Sequence, residues 1–282
     1  RTMLPAVEVV ENTGAHGLSG ARNTGIAVAA GDVVVFLDDD AEAEPDWLAE
    51  LLDAFADPAA LGVGGWVEPI WEGGRPAWFP VEFQWVVGCS YRGLPASRAP
   101  IRNMIGCNMA FRREVFAQVG GFSTGIGRVG GRPLGCEETE LCIRVGQRWP
   151  EAVMVHEPAA RVRHHVPRHR AGFRYLVARC YAEGLSKALV ARSVGSRDGL
   201  AAERVYTLRV LPRGVLSGLV SAVARGDPAG LGRAAAIVLG FACTAAGYAA
   251  GALRRAGGAE QTRSGTSGGL PPRGDAAEVT TP

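Results

Sequence analysis

The sequence predicts an α/β fold, in which a mostly parallel sheet is flanked by helices and followed by a C-terminal helical extension. Three observations support this prediction. The run at residues 33–37 (VVVFL) is continuous and β-branched, which is typical of a strand covered on both faces of a parallel sheet. Segments with helical periodicity alternate with such runs up to residue 190. Beyond residue 200 the sequence is rich in Ala, Gly and Leu, which favours helices.

The first predicted elements are a strand, a loop and a helix. Residues 6–10 alternate as a short strand does, and residues 12–20 are rich in Gly, Ser and Asn, as loops are. A helix is expected over residues 21–30, with Ser19 as its N-cap, immediately before the strand at 33–37.

After an acidic triplet, helices and strands continue to alternate. Strands are predicted at 61–67, 105–111 and 153–155, and helices at 47–55, at 113–119, from 137 onward and at 173–191. A segment rich in tryptophan, 69–100, is interpreted as aromatic core packing or as an acceptor-side segment. A basic loop is expected to contain three histidines, which are His164, His165 and His169.

The chain is divided into a domain at 1–190, a helical region at 191–256 and a disordered tail at 257–282. Residues 234–253 carry no formal charge and are long enough to span a bilayer. Because Ala and Gly dominate this segment, a soluble helix remains an equal alternative to membrane contact.

Composition restricts the classes of function. The 30 basic and 28 acidic residues leave a net charge of +2, so no overall field favours nucleic acid as a partner. The six cysteines include no C-x-x-C pair, which indicates reduced thiols rather than a zinc site or a disulfide framework. No apolar secretory segment opens the chain, so we expect a cytoplasmic protein.

The acidic triplet follows the predicted strand at 33–37, where open α/β sheets bind their ligands. A diphosphate binds to carboxylates only through a divalent cation, and oxygen ligands suit Mg²⁺ or Mn²⁺. Asp38 and Asp40 are two residues apart and can face one cation and one ribose, while Asp39 points elsewhere. A solvated loop with helix-capping carboxylates is the alternative interpretation.

A second acidic group, Glu137, Glu138 and Glu140, begins a predicted helix after a glycine-rich stretch. A carboxylate in a partly desolvated cleft can remove the proton from an attacking hydroxyl, and Glu138 is the candidate for this general base. Acidic residues in a first helical turn also stabilise the helix dipole, so a surface cap is the alternative.

Four motifs in order resemble the family 2 glycosyltransferases, which have the GT-A (Rossmann-like) fold. They are residues 17–25 (GLSGARNTG), 31–40 (GDVVVFLDDD), 106–111 (GCNMAF) and 135–144 (GCEETELCIR). The resemblance covers residues 7–190. It implies that Asp38 and Asp40 form the D-x-D motif, with Asp40 holding Mn²⁺ or Mg²⁺ and Asp38 nearer the donor ribose.

The resemblance also implies roles for other residues. Arg22, Asn23 and Asp39 are assigned to the donor side together with Asp38, and Asn108 and Glu137 to the acceptor side. Glu138 stands where the family usually has the aspartate that acts as the base, a departure that lengthens the side chain. His164 matches a position that contacts the metal or the diphosphate in some relatives, although His165 makes the register ambiguous and a solvated loop is the alternative.

The expected function is transfer of a sugar from a nucleoside-diphosphate donor to the hydroxyl of a glycan, a lipid-linked or a small-molecule acceptor, with inversion. The expected location is the cytoplasm, at the inner face of the cell membrane. Members of the family begin with a strand, a helix and a strand that bind the nucleotide base, and this sequence starts after them. The alternatives are a non-catalytic sugar-nucleotide or glycan-binding module and a metal-dependent nucleotidyl- or phosphoryl-transfer enzyme.

Overall fold

The computed structural model describes residues 7–128, 134–199 and 201–263. Within these residues, a mixed sheet is flanked by helices and followed by a helical region. The strands are β1 Val33–Leu37, β2 Ala41–Ala43, β3 Ala60–Trp71, β4 Ala99–Ile101, β5 Asn108–Arg112 and β6 Val153–Val166. The helices are α1 Leu18–Val28, α2 Trp47–Asp53, α3 Arg113–Val119, α4 Glu137–Arg148, α5 Phe173–Val194, α6 Ser196–Gly199, α7 Ala201–Val205, α8 Leu211–Ala224 and α9 Ala229–Arg263.

The order of strands in the sheet is β1-β5-β3-β6-β2, with β4 also paired to β6. Among the described strands, β3 and β6 pair in parallel, and the other pairings are antiparallel. The predicted α/β class, with flanking helices and a C-terminal helical region, is therefore confirmed. The prediction of a mostly parallel sheet is wrong in this part of the chain. An apolar β-branched run predicts a strand that is covered on both faces, but it does not predict whether the neighbouring strand is parallel or antiparallel.

The start of the described chain differs from the prediction. Residues 7–10 form no strand, and Val7 and Val9 are exposed, because alternation alone does not supply a neighbouring strand with which to pair. Helix α1 begins at Leu18, with Gly17 as its N-cap, so Ser19 lies inside the helix. The Ser19 hydroxyl instead donates a hydrogen bond to the carbonyl of Ile126 at 3.1 Å.

Strand β6 is longer than the sequence pattern predicts. It extends to Val166, so His164 and His165 lie in a strand and not in a solvated loop. Its second half is paired on both sides, with β3 and with β2, where Ala41 is opposite His164. The register between β2 and β6 places the residue before Ala41, Asp40, beside the His164 side chain.

Two apolar clusters lie on different parts of the sheet. Around Phe111, the rings of Phe36, Phe116 and Phe122 pack edge to face or tilted, with centroids 5.5–6.5 Å apart. The second cluster contains the tryptophan-rich segment, in which Trp71, Trp78 and Trp85 pack against buried phenylalanines and against Ile237 of α9. Core packing, one of the two interpretations of this segment, is therefore observed, and it attaches the C-terminal helices to the sheet.

Helix α9 packs closely on α5 and α8 through glycines. A Cβ atom on Gly184 of α5 would lie 2.1 Å from the carbonyl oxygen of Thr244, and one on Gly218 of α8 would lie 2.6 Å from that of Gly230. Because glycine has no side chain, the backbones of these helices approach each other more closely than any larger residue would permit. Helix α9 continues to Arg263, past the predicted start of the tail at residue 257, and residues 264–282 lie outside the described residues.

Candidate functional site

A cleft of about 450 Å³ lies beyond the end of β1, between the sheet and the C-terminal helices. One end, called here the donor end after the role that the resemblance implies for its residues, is formed by residues that follow β1 and that end or follow β6, together with one residue of α1. These are Asp38, Asp40, His164, Arg170 and Arg22. Glu137 and Glu138, at the start of α4, line the middle of the same cleft. The structure therefore brings the two acidic groups of the sequence to one cavity.

Arg22 connects these two acidic groups. Its side chain is buried in α1, and its guanidinium donates to Asp38 Oδ1 at 3.3 Å and to Glu137 Oε1 at 3.0 Å. It also donates to the carbonyl of Gly106 at 3.0 Å, where a Cβ atom would lie only 2.8 Å from the guanidinium. A fixed cation thus lies between the carboxylate after β1 and the carboxylate that begins α4.

Asp40 and His164 form the second pair at the donor end. His164 Nε2 lies 3.2 Å from Asp40 Oδ1, and Arg170 Nη1 lies 3.7 Å from Asp40 Oδ2. Burial lowers the pKa of His164 and the nearby Asp40 only partly opposes this, so the imidazole is mainly neutral near pH 7. A neutral imidazole has a lone pair available for a metal ion.

The donor set at this end fits a divalent cation that a substrate also binds. No group of three or more His, Cys, Asp or Glu side chains with metal-binding geometry occurs among the described residues. Asp40 and His164 supply two ligands, and Mg²⁺ commonly uses one or two protein carboxylates together with waters and substrate phosphates. The two residues are therefore suited to a cation that is completed by a diphosphate.

The start of α4 is held in an unusual conformation. Cys136, its N-cap, has φ of 72°, in the left-handed region that non-glycine residues rarely adopt. Its thiol donates to Glu183 of α5 at 3.1 Å, and the amide of Gly135 donates to the hydroxyl of Ser186 at 3.1 Å. Helix α5 therefore fixes the position of the two glutamates that follow Cys136. Backbone strain of this kind is frequent at functional sites.

Glu138 is half-buried, and its carboxyl group has a raised pKa. Burial is the main cause, the Glu137 carboxylate adds to it, and together they raise the pKa of Glu138 to about 8. Glu137 is buried, and its Oε2 has no hydrogen-bond partner among the described residues. A carboxylate with a raised pKa accepts a proton more readily than an ordinary surface glutamate does.

The opposite end, called here the far end, is a closed network of charges. Lys187 Nζ lies 2.6 Å from Glu203 Oε1 and 3.2 Å from Glu183 Oε1. Arg102 binds Glu203 through two hydrogen bonds of 2.6 and 2.9 Å, and Arg179 binds Glu183 at 2.8 Å. Three cations thus surround two carboxylates. Burial alone would raise the pKa of both glutamates, but the cations outweigh it and lower each pKa to about 2.

Three residues that the sequence assigned to the site do not line the cleft. The amide of Asn23 exchanges two hydrogen bonds with the main chain of Phe122, at 2.8 and 2.9 Å. The amide of Asn108 is buried and binds Trp47, Trp66 and Ala160. Asp39 is exposed at the surface. The two asparagines hold turns and strands together beside the site.

Sequence reasoning missed Arg170 and the far end. Arg170 follows β6 by four residues, and nothing local in the sequence relates it to Asp40. The far end does leave a readable pattern, because Arg179, Glu183 and Lys187 are spaced by four residues on one helix face and Lys187 is the one lysine in the sequence. Their partners Arg102 and Glu203 come from other segments, which no spacing predicts.

Comparison with known proteins agrees with the motifs. Residues 2–120 match a family model described as glycosyl transferase family 2. The resemblance of this sequence to the family 2 glycosyltransferases is therefore confirmed over that segment, which includes Arg22 and the acidic triplet.

Individual relatives are also glycosyltransferases or polysaccharide-biosynthesis proteins by name. The chain is 41% identical over 173 residues to a glucosyl-dolichyl phosphate glucuronosyltransferase of Haloferax volcanii, covering 61% of this chain and 55% of that protein. It is 28% identical to the succinoglycan biosynthesis protein ExoM of Rhizobium meliloti, covering 72% and 71%. The chain thus spans little more than half of the archaeal relative.

A crystal structure of GalNAc-T7 with UDP, GalNAc and Mn²⁺ aligns with 76% of this chain and 45% of that chain, at 16% identity and a TM-score of 0.42.

Proposed function

We propose that this protein transfers a sugar from a nucleoside-diphosphate donor to an acceptor hydroxyl, with inversion at the anomeric carbon. One observation carries the proposal: Asp38, Asp40 and Glu138 line a single cleft, and Arg22 bridges Asp38 to Glu137. The motif order and the match to glycosyl transferase family 2 support the same reaction.

The proposed chemistry is a single in-line displacement. Glu138 removes the proton of the acceptor hydroxyl, whose oxygen forms a bond to the anomeric carbon while the bond from that carbon to the diphosphate oxygen breaks. The proton ends on Glu138, and the nucleoside diphosphate leaves with the bonding electrons. Glu138 suits this role because burial and Glu137 raise its pKa.

The donor end supplies positive charge for the leaving group. Arg22 and Arg170 line it beside the aspartates, and fixed cations stabilise charge that develops on a leaving diphosphate. Asp40 and His164 would hold Mn²⁺ or Mg²⁺, with Asp38 nearer the donor ribose. Such a cation, when bound, neutralises the diphosphate as a Lewis acid. Asp39 and Asn23 remain donor-side candidates, and Asn108 and Glu137 acceptor-side ones, from the resemblance alone.

The acceptor is proposed to be a glycan, a lipid-linked or a small molecule. A lipid-linked acceptor has two supports: the name of the archaeal relative and the position of α9, whose residues Phe241, Thr244 and Tyr248 line the far end of the cleft. The proposed location is the cytoplasm, at the inner face of the cell membrane. All six cysteines are free, and residues 203–224 and 229–253 form helices long and apolar enough to cross a membrane.

The test measures nucleoside-diphosphate release from a panel of UDP- and GDP-sugars, with Mn²⁺ or Mg²⁺ and with or without added glycan or polyprenyl-phosphate acceptors. We expect Asp40→Ala to reduce release by about 10³-fold or more, since it removes an interaction with the leaving group. Asp32→Ala is the matched control, because Asp32 is an exposed aspartate beside the opposite end of β1.

Three results would reject the proposal. Equal release by wild type and Asp40→Ala would exclude the assigned donor end. Binding of UDP or glycan with no release from any donor would identify the protein as a non-catalytic binding module. Release of pyrophosphate would identify nucleotidyl transfer instead.

A further inference from the structure

The C-terminal helices expose apolar side chains to an unusual degree. Large hydrophobic residues that are exposed include eleven between residues 205 and 253. They are Val205, Leu208, Leu216, Leu219, Val220, Val223, Leu231, Val238, Leu239, Phe241 and Leu253. Exposure reaches 86% at Val223 and 75% at Leu208. Contiguous exposed apolar surface of this kind marks an interaction site.

The exposed residues of α8 follow the helical period. Leu216, Leu219, Val220 and Val223 are spaced at i, i+3, i+4 and i+7, so they form one stripe, and this stripe faces away from the protein. The opposite face of α8, with Gly214 and Gly218, is buried. A helix of a soluble protein has the reverse arrangement, with its apolar stripe toward the core.

Helix α9, which packs against α8, also exposes apolar side chains. From Ala235 to Leu253, every exposed residue is alanine, valine, leucine or phenylalanine. The stripe on α8 and these residues of α9, apart from Phe241 and Ala245, which line the cleft, are called here the apolar face. Within the described residues, no other element covers it.

The charged residues in the segment that carries the apolar face are almost all positive. Residues 204–253 contain five arginines and one aspartate, and that aspartate, Asp227, binds Arg233 at 2.6 Å. The other four arginines are exposed, with no ion-pair partner among the described residues. They are Arg204, Arg209, Arg213 and Arg225. Apolar residues bordered by arginines match a surface of anionic lipid better than a second copy of the same positively charged face.

The packing of α9 indicates how the helices would meet a bilayer. One side of α9 lies against α5, which carries the buried charges Arg179, Glu183 and Lys187, and lines the cleft with Thr244 and Tyr248. If α9 crossed the bilayer, this charged helix would enter the hydrocarbon with it, which is costly. Binding through the outer side alone leaves α5 and the cleft in water.

We infer that α8 and α9 form a monotopic docking surface for anionic lipid, in which the apolar face enters the boundary of one leaflet and the bordering arginines contact the headgroups. This inference concerns binding and does not require glycosyl transfer. Docking would bring the far end of the cleft, which α9 lines, to the lipid surface.

The experiment measures flotation of the full chain with vesicles of phosphatidylcholine or of an equal mixture with phosphatidylglycerol. We expect binding that is stronger with phosphatidylglycerol and that weakens at high salt. In Leu219→Gln/Val223→Gln the vesicle partition coefficient should fall at least about tenfold, because two side chains that enter the leaflet become polar. The matched control is Leu48→Gln/Leu52→Gln, which changes two exposed leucines of α2 outside the apolar face.

Release of the bound protein by alkaline carbonate is expected for a monotopic protein, and retention in the bilayer would show a span and overturn the inference. Equal vesicle binding by wild type and Leu219→Gln/Val223→Gln would also overturn it. The inference would also be overturned if the wild-type protein failed to bind vesicles and instead formed a dimer without lipid, and if this dimer dissociated in Leu219→Gln/Val223→Gln. Because flotation needs no donor, a negative result here is separate from a failure of the proposed reaction.

Discussion

The two ends of the cleft carry similar numbers of charged side chains but hold them differently. At the donor end, the contacts of Asp38 and Asp40 with Arg22, His164 and Arg170 measure 3.2–3.7 Å, and both aspartates are about one-third exposed. At the far end, the contacts of Glu183 and Glu203 measure 2.6–3.2 Å, and their side chains are 11% and 22% exposed. The longer contacts of Asp38 and Asp40 leave their carboxylate oxygens accessible to a ligand, whereas the carboxylate oxygens of Glu183 and Glu203 are all occupied by protein partners.

The difference leads us to propose separate roles for the two ends. The far end is joined to the start of α4 through Cys136, because Glu183 accepts a hydrogen bond from this residue, which caps α4. Charges at the donor end and at Glu138 should therefore govern turnover, and charges at the far end should govern stability. The predictions below test that division, from the largest expected effect to the smallest.

The first prediction concerns Glu138. Glu138→Gln should lower turnover by about 10²–10⁴-fold, the usual contribution of a general base, while the affinity for donor is retained. The measurement is steady-state release of nucleoside diphosphate together with donor binding. Glu114→Gln, in the first turn of α3 and outside the cleft, is the control. Turnover that survives in Glu138→Gln would assign the base elsewhere.

The second prediction concerns Lys187. Lys187→Ala should reduce the free energy of unfolding by about 3–5 kcal/mol, because Glu183 and Glu203 lose a shared buried cation. Denaturant unfolding gives the value, and Lys187→Arg should recover part of it. A loss below about 1 kcal/mol would show that the network is solvated and does not support the fold.

The third prediction concerns acid. The pKa values of Glu183 and Glu203 are lowered from 4.5 to about 2, so their ionised forms stabilise the fold above pH 4.5. This stabilisation should disappear as the pH falls from 4.5 toward 2. Between pH 4.5 and 2, the free energy of unfolding should decrease less in Glu203→Gln than in wild type. Parallel curves would contradict the lowered pKa of Glu203.

The fourth prediction concerns Asn23. Asn23→Ala should reduce the free energy of unfolding by about 1–3 kcal/mol without any ligand, because the main chain of Phe122 loses two hydrogen bonds. Asn23→Asp keeps the acceptor for the Phe122 amide and should lose less. Thermal or denaturant unfolding of both variants checks the order, and an unaltered stability in Asn23→Ala would show that these bonds contribute little.

The fifth prediction is a shift in pH dependence. Since Glu138 must be ionised to act as a base, kcat/KM should rise with pH until the pH exceeds about 8. Glu137→Gln removes the neighbouring carboxylate that contributes to the raised pKa of Glu138, so the rise in kcat/KM should move to lower pH. A profile that does not move, or that moves upward, would remove Glu137 as a cause.

Prediction from sequence succeeded where residues that act together are close in the chain. The acidic triplet and the helix that begins at Glu137 were both reached from motifs. It failed where a pattern has two structural readings. The β-branched run of β1 did not reveal its antiparallel neighbour, and the motif that contains Asn108 did not reveal that its amide binds Trp47, Trp66 and Ala160 outside the cleft.

The sequence by itself determined the local features of this protein: which strand ends in aspartates, which helix begins with glutamates, and which segments are apolar enough to seek a core or a lipid surface. These follow from short-range sterics and from burial of side chains a few residues apart. The tertiary structure alone decided that Arg22 joins the two acidic groups, that Arg170 and Glu203 reach the cleft, and that the apolar stripe of α8 faces outward. Those contacts join residues that are distant in the chain, and burial determines how strongly their charges interact.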